Sequence, residues 1–165
     1  MRRTLATIGF AMAAAGGLAA CGALHYKPLT PDKGTATLNM VRGAAALGGK
    51  SLQVYAGYRD AQCTAAPGTG RLAWMLTYAT LEKSARVDAG QRLYLAAGLH
   101  RYHGYGKDTC LNVVSFTPQP QHHYRVVQES ESEQCSLKVV DETNGQVPPD
   151  LKPENSKACS IAVAD

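Results

Sequence analysis

Nine short strand-like runs separated by Gly, Pro, Asp and Asn, several of them alternating apolar and polar residues, constrain this chain's fold more than any other feature. They are Thr35–Val41, Ser51–Ala56, Arg71–Ala79, Ser84–Val87, Arg92–Ala96, Leu111–Thr117, Tyr124–Glu129, Cys135–Val140 and Cys159–Val163. A period of two puts successive side chains on opposite faces. Leu93 and Leu95 alternate with Arg92 and Tyr94, Leu137 and Val139 with Ser136 and Lys138, and Leu72, Trp74 and Leu76 share one side. Short strands at this spacing predict an all-β fold, an antiparallel β-sandwich of about seven to nine strands. Helical signals are poor. Ala44 to Leu47 has helix propensity but is bounded by Gly43 and Gly48, and Asp60 to Ala66 allows one turn before Pro67. Thr143-Asn144-Gly145 is a turn signal.

The N-terminus limits where the chain can act. Arg2 and Arg3 precede an uncharged Ala- and Leu-rich stretch from Leu5 to Leu18, and small residues then lead to Cys21. This is the layout of an export signal. Gly16-Gly17 breaks the apolar run, which is shorter than the ~20 residues that a spanning helix needs. The end of the segment, Leu18-Ala19-Ala20-Cys21, resembles a bacterial lipoprotein signal. That resemblance implies cleavage before Cys21, a lipid on its thiol and amine, and stable anchoring by two or more acyl chains. In such lipoproteins an Asp after the Cys often retains the protein at the inner membrane. Gly22 stands there, which implies the periplasmic face of the outer membrane. The expected organisation is a signal peptide over 1–20, a tether over 21–34 and a β-sandwich over 35–165 that ends in a Pro-rich strap. Thirteen tether residues, Gly22 to Gly34, reach at most about 40–47 Å.

Removing 20 of 165 residues leaves 145, enough for one domain with a real core. The formal charge of +4 falls to +2 without Arg2 and Arg3. Such a weak balance without a basic stripe gives no reason to expect a nucleic-acid partner. Four cysteines remain beside Cys21, namely Cys63, Cys110, Cys135 and Cys159. An even number in an oxidising compartment predicts two disulfides. Three pairings are possible. Cys63–Cys110 with Cys135–Cys159 is preferred, because each bond closes a loop-rich stretch without crossing the other.

Three stretches of the domain are similar to small envelope lipoproteins with a transthyretin-like or immunoglobulin-like sandwich. They are Thr35 to Arg42, Val87 to Leu95, and Cys110 through Phe116 with Pro118 and Tyr124 to Cys135. Asp88 stands where such proteins often carry Pro. The likeness lies in turns and strands, so it implies a fold and carries over no functional residue.

The best candidate ligand surface is the segment 98–108, with His100, Tyr102, His103 and Tyr105 beside Arg101 and Lys107. Read as a loop, it offers imidazoles for a metal ion, with one of the adjacent His122 and His123, or phenols for stacking on a cell-wall glycan. Glu129, Glu131 and Glu133 alternate and read as a solvated hairpin tip. No Gly-x-Ser-x-Gly, His-Glu-x-x-His or phosphate-binding Gly loop is present. The expectation is therefore a protein without catalytic residues, bound metal or cofactor. It would be held to the membrane by the lipid on Cys21 and dock another envelope protein. The alternative is a binding module for a metal or glycan at 98–108.

Overall fold

The computed structural model describes residues 25–43, 50–76, 81–104, 106–131 and 134–159. Cys21, Tyr105 and Glu133 lie outside them, as does almost all of the expected strand Cys159–Val163. Eight strands form where alternation placed them: β1 Thr35–Arg42, β2 Lys50–Tyr58, β3 Gly70–Leu76, β4 Glu82–Asp88, β5 Leu93–His103, β6 Gly106–Phe116, β7 His123–Glu131 and β8 Gln134–Asp141. A short ninth, β9 Lys152–Glu154, forms inside the Pro-rich strap. The chain is all-β, with two sheets packed as a sandwich. One sheet runs β4-β1-β7-β8 and the other β3-β2-β5-β6-β9. Every pairing is antiparallel except β1 with β7.

The period-two pattern fills the core directly. Ala36, Leu38, Met40, Val87, Tyr124, Val126 and Val139 face inward from the first sheet. They meet Tyr55, Ala73, Met75, Leu93, Leu95, Ala97, Val114 and Phe116 from the second. Each large side chain contributes about 1.5–3 kcal/mol by leaving water. The Phe116 and Tyr124 rings pack tilted across the sheets at 5.2 Å. The Tyr124 hydroxyl accepts the Gln119 N–H at 2.8 Å, which satisfies its polar tip. Trp74 and Leu76 lie opposite to this core. Ala73 and Met75 take the inward positions of β3, so Trp74 and Leu76 point to solvent.

The disulfides are Cys63–Cys159 and Cys110–Cys135, with Cα separations of 5.1 and 6.2 Å. This corrects the expected pairing of Cys63 with Cys110 and Cys135 with Cys159. Nested bonds avoid crossing as well as consecutive ones do, and sheet order decides between them. Cys110 on β6 and Cys135 on β8 join the two sheets. Cys63, in the turn after β2, meets Cys159 over Ala96 and Val113, on the outer face of the five-stranded sheet. The loop-entropy model gives about 4.7 kcal/mol for the longer closure and about 3.5 kcal/mol for the shorter.

Of the stretch read as a tether, His25 to Gly34 lies against the sandwich. Tyr26 packs on the core. Its N–H donates to the Arg71 carbonyl at 2.9 Å, covering the free edge of β3. An edge of the other sheet, β4, is blunted by Glu82, Lys83 and Arg86, which are all exposed. At the turn before Gln146, Gly145 has φ +74°, a conformation that Gly adopts without a Cβ clash.

Candidate functional site

The segment 98–108 is a strand arm rather than a loop. Gly98 to His103 belongs to β5 and Gly106 to Asp108 to β6, with only Gly104 and Tyr105 between them. Glycines at 98, 104 and 106 suggest a loop in the sequence. In the fold, however, Gly98 pairs with Val54 on one side and Leu111 on the other, as a member of a continuous central strand. His100 and His103 are three apart on β5, and an odd separation is not a same-face spacing in a strand. The His100 ring bonds the Thr109 hydroxyl at 3.2 Å. Burial, with the nearby Lys107 charge, lowers its pKa and favours the neutral ring. Among the described residues no group of three His, Cys, Asp or Glu side chains is placed to hold a metal.

His100 and Tyr102 instead belong to the outer face of the five-stranded sheet. Register builds that face in rows. Lys50 stands opposite Tyr102, Leu52 between Leu76 and His100, and Val54 between Trp74 and Gly98. The next row, Ala56 with Ala96 and Val113, lies where the Cys63–Cys159 bond crosses. The three rows before it present large apolar groups to solvent: Trp74 is 50% exposed, Leu76 46% and Tyr102 47%. Leu52 and Val54 form a buried floor between them. Trp74 and Leu76 on β3 and Tyr102 on β5 flank Leu52 and Val54 on the strand between them, so these apolar groups occupy one face rather than standing singly.

A second feature is a cleft of about 310 Å³ lined by His122, Tyr124, Asp141, Asp150 and Pro148, among others. His122 Nδ1 lies 2.6 Å from Asp141 Oδ2. Burial pushes the Asp141 carboxyl up, but hydrogen bonds from His122 and Thr143 outweigh it and hold the group below its ordinary value. The same carboxylate takes the Thr143 N–H at 2.9 Å and the Asn144 amide at 3.3 Å. It therefore organises the 143–145 turn. Among the described residues, the hydrogen bond to Asp141 is the only one made by the His122 ring, so no hydroxyl completes a nucleophilic triad there. The adjacent His123 starts β7 and receives the Thr143 hydroxyl oxygen at its N–H, 3.0 Å away. Of the alternating acids, Glu129 pairs with Lys138 at 2.6 Å across β7 and β8.

Two buried charged residues, Asp88 and Arg42, were not singled out as candidates in the sequence. Asp88, at the end of β4, is 3% exposed and accepts from five groups. These are the N–H groups of Leu29 and Thr30 (2.9 and 2.8 Å), the hydroxyls of Thr30 and Tyr26 (2.6 and 3.2 Å), and Arg59 Nη2 (2.6 Å). Burial raises its pKa, yet the Thr30, Leu29 and Tyr26 hydrogen bonds outweigh that and hold the carboxyl below its ordinary range. Asp88 therefore latches the 25–34 strap. Arg42, at the end of β1, is 7% exposed and has no partner for Nε or Nη2. Burial lowers its pKa, against the opposing influence of Tyr55. Apolar-polar alternation could have marked Arg42, since it falls on the inward parity of Ala36, Leu38 and Met40. Comparison with known proteins finds no matching family model, no matching curated protein and no matching solved structure.

Proposed function

We propose that this chain is a non-catalytic, lipid-anchored envelope protein that docks another envelope protein through the outer face of its five-stranded sheet. The observation that supports this reading is the patch of Trp74, Leu76 and Tyr102 over Leu52 and Val54. Aromatic anchors over an apolar floor are what a protein interface uses at its centre. The lipoprotein-like end of the signal supports anchoring at Cys21, and Gly22 supports the periplasmic face of the outer membrane. With the strap docked from His25, the four steps back to Cys21 span at most about 14 Å. The sandwich would then ride close to the bilayer, and its partner would be found there. A second reading uses the same face. Trp74 on β3 and His100 and Tyr102 on β5 offer rings on one face, on which a cell-wall glycan strand could stack.

The test is site-specific photo-crosslinking in cells, with the crosslinker at position 74 or 102 and, as control, at Lys83 on β4. A discrete protein adduct from 74 and 102, absent at 83 and lost in Trp74→Ser/Leu76→Ser at the neighbouring site, is the expected result. Glycan adducts alone would favour the second reading. Equal labelling at all three positions would overturn both.

A further inference from the structure

Arg42 points into the space between the sheets, one row inside the end of the sandwich. It stands beside Gln128 in the parallel register of β1 and β7. Gln53 on β2 reaches the same place, donating Nε2 to the Gln128 backbone oxygen at 3.3 Å. Tyr55, the next inward residue of β2, lies within the field of the Arg42 charge. Its phenol is pushed up to about 12, mainly by burial, so it is a protonated donor at neutral pH. All four side chains are buried. Nε and Nη2 of Arg42 and the Oε1 atoms of Gln53 and Gln128 have no partner, and the Tyr55 phenol oxygen has only the Gln128 backbone N–H near it, which leaves its own O–H to donate.

The orientation of the two amides follows from their surroundings. Gln128 Nε2 donates to the Ala97 carbonyl at 2.8 Å and Gln53 Nε2 to the Gln128 carbonyl. A flipped amide would set oxygen against oxygen, so the oxygens remain the orphaned atoms. The vicinity is also held in place. Cys110, whose carbonyl lies 3.4 Å from Gln128 Nε2, is bonded to Cys135. At Gly43 any Cβ would collide with the Gln128 backbone oxygen, so the end of β1 is pressed against β7. Burying a polar atom without a partner costs about 1–3 kcal/mol, and an unpaired charge costs more. Ordered water can satisfy the hydrogen bonds but does not supply the missing negative charge. Among the described residues no carboxylate pairs with Arg42.

We propose that this cluster is a binding site for a small monocarboxylate bearing a hydrogen-bond donor beside its carboxyl group, such as a 2-hydroxy acid or an N-acylated amino acid. The Nε–Nη2 edge of a guanidinium presents two parallel donors, which match a carboxylate in bidentate fashion. The Tyr55 hydroxyl adds a third donor. The Gln53 and Gln128 oxygens then accept the neighbouring hydroxyl or amide hydrogen of the ligand. They would repel a fully ionised dianion, which disfavours inorganic phosphate. This site is distinct from the outer docking face, on the other side of the same sheet, and neither proposal depends on the other.

The experiment is titration calorimetry of the oxidised mature chain with L-lactate, N-acetylglycine and inorganic phosphate, repeated with Arg42→Met and Gln53→Glu. The expected result is saturable binding of lactate or N-acetylglycine, weakened at least about 30-fold in Arg42→Met, the loss expected for a charge-assisted bidentate pair. Gln53→Glu supplies the missing carboxylate internally at the expense of the Gln53 donation to the Gln128 carbonyl, so it should abolish binding, with a cooperative thermal transition as the check that it folds, and it answers the question if Arg42→Met does not fold. No saturable binding to the wild-type chain, unchanged binding in either variant, or preference for phosphate would overturn the proposal.

Discussion

Asp88 and Arg42 are both buried charges at the ends of strands in the same sheet, and they are treated in opposite ways. Asp88 faces Thr35 at the start of β1, and Arg42 ends that strand. At about 3.3 Å per residue the two ends are roughly 23 Å apart. Asp88 is surrounded by five donors, one of them the Arg59 counter-charge at 2.6 Å. Arg42 has two guanidinium nitrogens without an acceptor. A buried charge that the chain fully satisfies is a fastening, and here it fastens the N-terminal strap. A buried charge left unsatisfied costs stability, and a fold that keeps one points outward to a ligand.

The largest effect should come from opening the Arg42 end. Cys110→Ala/Cys135→Ala removes the bond between the sheets beside Gln128. It should lower unfolding free energy by about 3.5 kcal/mol in urea titrations, with loss of any carboxylate response. An intact response would show that the cluster does not depend on that staple. At the other end, Asp88→Asn should cost about 3 kcal/mol, because it leaves Arg59 and the strap donors poorly matched. Limited proteolysis should then cut within 25–34 well before the sandwich unfolds. Uniform resistance there would break the distinction between a latch and a ligand site.

Acid should act in the same direction as Asp88→Asn but gradually. The folded pKa of Asp88 lies below its ordinary 3.8. Its contribution is therefore complete above that value and is lost as pH falls through the lower folded pKa. Strap protection in hydrogen exchange should decline below pH 3.8, while the Arg42 end stays unchanged in that window. Arg42→Met should go the other way and stabilise the ligand-free chain by about 1 kcal/mol, since an apolar group replaces an unpaired charge of similar length. A loss of stability on thermal melting would show that Arg42 has a structural partner. Trp74→Ser should change stability least, by under about 1 kcal/mol, because the side chain is half exposed. Its expected effect is on crosslinking alone.

Strand alternation was legible in the sequence wherever one face is buried, because a period of two follows directly from backbone geometry. β1 and β7 show this, whereas β2 is buried on both faces, with Tyr55 rather than Leu52 and Val54 in the core; the 143–145 turn was legible through Asn-Gly. The same signal cannot say which face is inside. Alternation groups Leu72, Trp74 and Leu76 on one side, yet the core took Ala73 and Met75 and left Trp74 and Leu76 exposed, while Leu72, beside the register shift opposite Tyr55 and Ala56, packs against the core. Composition concealed the β5–β6 hairpin, whose glycines read as a loop until the pairing of Gly98 between Val54 and Leu111 made them strand. Residues such as Asp88 and Arg42 look like ordinary surface charges in a chain that is 18% charged.

The amino-acid sequence by itself determined the class of fold and the number of disulfides, because these depend on local periodicity and cysteine parity. Only the tertiary structure decided the cysteine partners, the docked strap, the outward Trp74 face and the contrasting surroundings of Asp88 and Arg42. Each of these depends on which strands become neighbours, and strand order is set by contacts between residues far apart in the chain, to which no local pattern is sensitive.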